Sequence, residues 1–183
     1  MRPLLILLTL AAGLCSCVTN GGLSEDSIAR FYDVQVDAFL HQDQKTLCAQ
    51  YAPEYRGFER QIGEVAERVM PSDKASECKN LEQLFAMKKR VDEARTNGDV
   101  LGVEFTLERT GVEIAPDRKS ADVHLKAHLN FGGVLIADSI VVEHLVDRGG
   151  QVLSVASETE AHVSGIVAYG TAAARARASA VAR

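Results

Sequence analysis

Residues 120–131 read SADVHLKAHLNF. Ala121, Val123, Leu125, Ala127, Leu129 and Phe131 alternate with Asp122, His124, Lys126, His128 and Asn130. A period of two puts one row on a dry face of a strand and the other on a wet face, which is the pattern of an antiparallel sheet buried on one side. Upstream, Val103, Phe105 and Leu107 alternate with Glu104, Thr106 and Glu108, and then Val112 and Ile114 continue one position out of phase, as a bulge near Thr110-Gly111 produces. Downstream, Gly132-Gly133 reads as a two-residue hairpin and Asp147-Arg148-Gly149-Gly150 as another, flanking strands over 134–146 and 151–163. The second half is therefore expected to be a four-stranded antiparallel meander.

Those loop lengths set a register. Phe131 opposite Val134 implies Leu129 with Ile136, Ala127 with Asp138, Leu125 with Ile140, Val123 with Val142 and Ala121 with His144. The next hairpin then brings Val142 near Val155, Ile140 near Ser157 and Asp138 near Thr159, and the Pro116–Lys119 turn brings Ile114 beside Ala121. The first half has helical spacing instead. Ser24, followed by Glu25 and Asp26, caps a helix whose apolar face is Ile28, Phe31, Tyr32, Val36, Phe39 and Leu40. A short helix is expected over 43–51 with Leu47 and Cys48 inward, and another over 55–70 from the spacing of Phe58, Ile62, Val65 and Val69. After Pro71, Ser72 or Asp73 restarts a helix carrying Leu81, Leu84, Phe85 and Val91 inward, with a stop at Asn97-Gly98. The fold class that results is α+β, with N-terminal helices packed in a curved, four-stranded antiparallel sheet.

Composition narrows the function classes. The 183 residues are 46% hydrophobic and 25% charged, too apolar for a disordered chain and of a size for one domain. With 20 Lys plus Arg against 25 Asp plus Glu and a net charge of −5, the basic footprint that phosphate neutralisation requires is missing, so no nucleic-acid partner is expected. Outside the N-terminus no run of 18 apolar residues occurs, which excludes a multi-span helical membrane protein. No Gly-rich phosphate loop, nucleophile elbow, Cys-x-x-Cys or His-Glu-x-x-His is present, and no cofactor is implied.

Residues 1–16, MRPLLILLTLAAGLCS, have a positive start and an apolar stretch over 4–14, the signature of a secretory signal that is removed from the mature protein. Leu14-Cys15-Ser16-Cys17 resembles the bacterial lipobox, which implies diacylation at Cys17, palmitate included, and a lipid anchor in a membrane; cleavage and release is the alternative. No Asp follows at position 18 or 19, and the resemblance then implies an outer-membrane lipoprotein facing the periplasm. Residues 17–23 are the lipidated N-terminus and spacer, 24–163 the domain, and 164–183 an Ala/Arg-rich tail. In an oxidising compartment the remaining cysteines, Cys48 and Cys78, favour a disulfide over two separate buried thiols. Closing a loop of about 30 residues stabilises by roughly 3–4 kcal/mol in the chain-entropy account.

Helices followed by a bulged meander, with VDAFLHQDQKTLCAQYAPEY at 36–55 and RTGVEIAPDRKSADVHLKAHLNFGG at 109–133, resemble the nuclear transport factor 2-like superfamily, which includes ketosteroid isomerase, scytalone dehydratase and the SnoaL-like cyclases. The resemblance spans about residues 24–163 and implies a cone whose concave face holds a small ligand. It departs at two places: the first hairpin between helices is not visible, and Gln151-Val152-Leu153 lacks a Trp after its turn.

On the inward face in this register the polar residues are Asp138, His144, Ser157 and Thr159, with Tyr32 or Tyr51 supplying an opposing hydroxyl. Asp138, His144, Thr159 and Tyr32 are the candidate ligand-binding residues, and Asp138 is the candidate catalytic one, because desolvation in an apolar cone tunes a carboxyl toward proton transfer. The alternative is that Asp138 is satisfied by a neighbour and only orders the sheet. His124 and His128 share the wet face with Lys126 between them, which argues against a metal, and Glu158, Glu160 and His162 are expected as solvated charges. Leu135, Ala137, Val141, Leu145, Val152 and Ala156 would form an exposed apolar outer face; Leu135, Val141, Leu145 and Val152 are the expected interface for a homodimer or another periplasmic protein. The functional expectation is a non-catalytic binding module for a small apolar ligand or an envelope protein, as an inhibitor or assembly accessory. The alternative is an isomerase, dehydratase or cyclase using Asp138.

Overall fold

The computed structural model describes residues 22–63, 66–94, 102–132 and 135–165. Signal, Cys17, the stop at Asn97-Gly98 and the Ala/Arg-rich tail lie outside them, apart from Ser164 and Gly165. The elements are α1 (Glu25–Leu40), α2 (Gln44–Gln50), β1 (Tyr51–Gly63), β2 (Glu67–Asp73), α3 (Lys74–Ala94), β3 (Val103–Ile114), β4 (Ser120–Phe131), β5 (Leu135–Arg148) and β6 (Gln151–Gly165). They build one six-stranded sheet in the order β2-β1-β6-β5-β4-β3, antiparallel except that β1 runs parallel to β6. The α+β class and the meander β3 to β6 are as expected; the sheet is mixed and two strands wider than the four antiparallel strands expected.

The extra strands come from residues 51–73, expected to include a helix over 55–70. On β1 the positions alternating with buried Tyr55 are Gly57, Glu59 and Gln61, while Phe58, and Val69 on β2, are half exposed at 48% and 52%. A strand with polar residues inward and apolar ones outward leaves Phe58, Ile62 and Val69 at spacings that imitate a helix stripe. Val65 lies outside the described residues.

The other helices start as their sequence dictates. The Ser24 hydroxyl accepts from the Ser27 amide (3.1 Å) and the Ser27 hydroxyl accepts from the Ser24 amide (2.9 Å), a reciprocal cap for α1. Asp43 caps α2 through the Thr46 amide. Of the expected α1 face, Ile28, Phe31, Tyr32 and Phe39 are buried, whereas Leu40 is 42% exposed and Ala38 takes the inner place. Leu23, expected in the spacer, is fully buried: its amide donates to the Arg118 carbonyl (2.6 Å) and its carbonyl accepts from Arg118 Nε (2.9 Å).

The helices pack on one face of the sheet in two clusters. Leu23, Ile28, Phe31 and Tyr32 meet Ala121, Val123, Leu125 and Leu145. Ala38, Phe39 and Leu47 meet Leu81, Leu84, Phe85, Val103, Phe105 and Leu129, and beside them a disulfide joins Cys48 on α2 to Cys78 on α3, Cα atoms 5.6 Å apart. The side chain of Val91 is not among those described. No helix among the described residues is long and apolar enough to cross a membrane.

The bulge lies where expected, between Arg109 and Gly111, and Ile114 pairs with Ala121. The β4–β5 register differs by one residue. Phe131 pairs with Leu135 and not with Val134, so three residues rather than two separate the paired positions, the first of them Gly132 at φ 60°. One residue of slip turns every side chain of β5 to the opposite face. Leu125 therefore pairs with Val141, Val123 with Glu143 and Ala121 with Leu145. The expected interface is corrected by the same step: Leu145 is fully buried, Val141 and Val152 pack against the first cluster, and Leu135 shares the inner side of β5. The outer face instead exposes Ile140, at 59%.

This register has a direct test in stability. Leu145→Arg is expected to cost more than about 4 kcal/mol, because it buries an unpaired charge, whereas Ile140→Arg stays within about 0.5 kcal/mol. Urea titration of the two variants reads the difference, and the reverse order would restore the two-residue turn.

Candidate functional site

Between the clusters the inner face of the sheet and the helices leave a partly open cavity of about 190 Å³. One wall is apolar, from Phe105 and Leu107 on β3, Leu125 and Ala127 on β4 and Val141 on β5. The other is polar: Tyr51, Tyr55 and Glu59 from β1, Ser72 from β2, Glu77 from α3, Ser157 and Thr159 from β6, and Gln35 from α1, with Phe58 at its edge. Glu143 of β5 sits among the lining residues with only 5% of its surface exposed.

Glu143 is held by the helix above it. Tyr32, about two turns into α1 and itself buried, donates its hydroxyl to Glu143 Oε2 at 2.8 Å. Burial raises the Glu143 carboxyl above the usual glutamate range, with Ser154 and Tyr32 pulling the other way as donors. The Tyr32 hydroxyl is pushed up in turn, by burial first and the carboxylate second, with Arg109 opposing. Tyr55 and Ser157 hydroxyls lie 2.5 Å apart, and burial pushes Tyr55 up to about 12. Tyr51, whose ring centroid is 4.5 Å from that of Tyr55, is raised by burial and then by Glu77. Glu77 is itself raised, by burial and by the neighbouring Glu59 and Asp73, with Ser72 opposing. No Lys, Arg or His is among the lining residues.

Of the four expected binding residues the structure brings two to this place. Thr159 lines the cavity, and Tyr32 reaches it through Glu143. Asp138 and His144 do not, because the register turns them outward: Asp138 Oδ1 lies 2.7 Å from His128 Nδ1, and His144 Nδ1 lies 2.6 Å from Asp122 Oδ1, all on the exposed face. Asp138 is therefore no proton carrier for the cone. His124 stands 4.0 Å from Glu113, His162 stands 3.6 Å from Glu160, and among the described residues no three His, Cys, Asp or Glu side chains are placed to hold a metal. Glu143 was the residue missed. Its signal was present in the alternate row Leu135, Ala137, Ser139, Val141, Glu143, Leu145, where it is the one acid.

A domain of three helices against a mixed sheet that encloses such a pocket has a nuclear transport factor 2-like fold, and solved structures agree. A nuclear transport factor 2-like protein of unknown function from Pseudomonas putida KT2440 superposes with a TM-score of 0.54 at 16% identity, covering 74% of this chain and 84% of that one. One from Shewanella baltica OS155 gives 0.52 at 9% identity, covering 75% and 92%. A candidate scytalone dehydratase from Novosphingobium aromaticivorans gives 0.52 at 11% identity, covering 76% and 85%. At these identities the likeness defines the fold alone, and that fold carries both binding modules and enzymes. No protein-family model matches the chain, and no curated protein does.

The buried carboxyls make stability depend on pH with a definite sign. Glu143 and Glu77 hold protons more tightly folded than unfolded, so above the ordinary glutamate value the folded state binds more protons and stability falls as pH rises. Glu143→Gln keeps an acceptor for Tyr32 and is expected to flatten the fall in melting temperature as pH rises above the ordinary glutamate value. An unchanged slope would remove Glu143 as its source.

Proposed function

We propose that the domain is a non-catalytic binding module whose cavity takes one small molecule with an apolar body and a hydrogen-bonding end. The observation that carries this is the position of Glu143, a buried carboxyl lining a cavity that Leu107, Leu125, Ala127 and Val141 also line. Ligand sites are concave and mostly apolar with a few polar groups that set orientation, and this one has that division. Its volume, about 190 Å³, is below the ~300–1,000 Å³ of sites for drug-sized ligands, which favours a compact ligand. The reading of a docking partner or homodimer loses support, since Val141, Leu145 and Val152 are spent on the core. A second reading, a proton-transfer enzyme of the isomerase or dehydratase type, is favoured by the raised carboxyl of Glu143 and would use it in place of Asp138. The anchor is part of the proposal: acylation at Cys17 holds the domain on the periplasmic side of the outer membrane, and the Cys48–Cys78 disulfide fits an oxidising compartment.

Native mass spectrometry of the chain exported to a periplasm is expected to show a small-molecule adduct that Ala127→Phe, filling the cavity, abolishes without changing the circular dichroism. Adduct-free protein that also binds no small alcohol or ketone by NMR titration overturns the cavity reading, whereas turnover of a bound ketone that Glu143→Gln abolishes would establish the enzyme. Separately, labelled palmitate should mark the wild-type chain and not Cys17→Ala. An unlabelled, freely soluble periplasmic protein would end the anchor proposal.

A further inference from the structure

We propose that the cavity selects an organic cation, a small alkylammonium whose apolar body lies on the aliphatic wall and whose charged head lies among Glu59, Glu77 and Glu143. This rests on the reading that the cavity takes a small ligand, and names its class. Three carboxyls line a space of about 190 Å³ with no basic side chain among the lining residues. A buried carboxyl is ordinarily paired with a cation or a metal; Glu143, the buried one, accepts only from neutral donors such as the Tyr32 hydroxyl, and the half-buried Glu59 accepts from Gln61 Nε2 at 2.9 Å.

The basic groups nearby are turned to other work. Lys74 Nζ donates to the Tyr51 carbonyl at 2.6 Å, and Arg56 donates to the Glu54 and Tyr55 carbonyls at 3.3 and 2.8 Å. Arg109 acts on Tyr32 and does not line the cavity.

Aromatic faces add an independent reason. Tyr51 and Tyr55, adjacent at 4.5 Å, line the cavity, as do Phe105 and the half-exposed Phe58. A cation over such rings gains about 0.5–1 kcal/mol where exposed and about 2 or more where desolvated. Gln35 also lines the cavity and leaves its side-chain oxygen buried without a hydrogen-bond partner, an acceptor suited to an ammonium N–H. An anionic ligand would meet three carboxyls and no donor of positive charge.

Protons follow from the same arrangement. Glu77 faces Ser72, Asp73, Glu59, Tyr51 and Tyr55, and Glu143 faces Tyr32, Ser154, Tyr51 and Tyr55, so nothing cationic counters the burial that raises both carboxyls. A cation entering between them favours the ionised forms, and binding releases protons.

The test uses three ligands of one shape: cyclohexylammonium, cyclohexanol and cyclohexanecarboxylate, titrated calorimetrically into the full mature domain. Cyclohexylammonium should bind about tenfold tighter than cyclohexanol, a difference of about 1.4 kcal/mol, with a heat that depends on the ionisation enthalpy of the buffer. Cyclohexanecarboxylate should not bind. Glu77→Gln should weaken the ammonium about tenfold and leave cyclohexanol within about twofold. Cyclohexanol binding as tightly as the ammonium overturns cation selection and leaves the ligand cavity standing. Binding of none of the three overturns the ligand cavity itself.

Discussion

The pairing of Phe131 with Leu135 decides what the rest of the molecule is. It puts Leu145 and Val141 under α1 and Glu143 beside the cavity, and it sends Asp138, Ile140 and His144 to the opposite side. A strand has no intermediate setting, because its side chains alternate with a period of two. Everything the inner face does, closing a core around Leu145 and presenting one carboxyl to Tyr32, follows from the three residues that separate those paired positions.

Around that turn the protein divides its interior between packing and emptiness. The cluster at Ile28, Tyr32, Val123 and Leu145 is closed, and the one at Phe39, Leu47 and Phe85 is closed and clamped by the Cys48–Cys78 disulfide. Between them the inward positions of β1 and β6 are polar, Tyr55, Glu59, Ser157 and Thr159, so the space they border is not filled by aliphatic side chains. The hydrogen bond from Tyr32 to Glu143 joins the two regions, since the tyrosine belongs to the core and the carboxyl to the cavity.

Much of this was legible in the sequence. The strict alternation of 120–131, the bulge near Gly111, the cap at Ser24 and the cysteine pair each carry a local physical signature, and each is met in the structure. Strand β5 is different. Between residues 135 and 146 both of its rows are mostly apolar with one acid apiece, Glu143 in one and Asp138 in the other, so alternation alone cannot say which faces in. The choice fell to the number of residues between the paired positions Phe131 and Leu135, which is three and not the two that the Gly132-Gly133 pair suggests. Strand β1 was illegible for the opposite reason: a polar cavity wall inverts the usual hydrophobic pattern, and the half-exposed Phe58 and Val69 then copy a helix.

The parallel contact of β1 with β6 sets residues 56–63 against residues 156–163. About half of the 183-residue chain intervenes, and closing so long a loop is a slow, entropically costly step. The β1–β2 hairpin therefore leaves the ribosome long before the strand that receives it, and the wall carrying Tyr55 and Glu59 has no sheet partner on that side until β6 is made. A chain truncated before β6 keeps its helices and its first hairpin in sequence, yet has no surface on which the binding chamber can close.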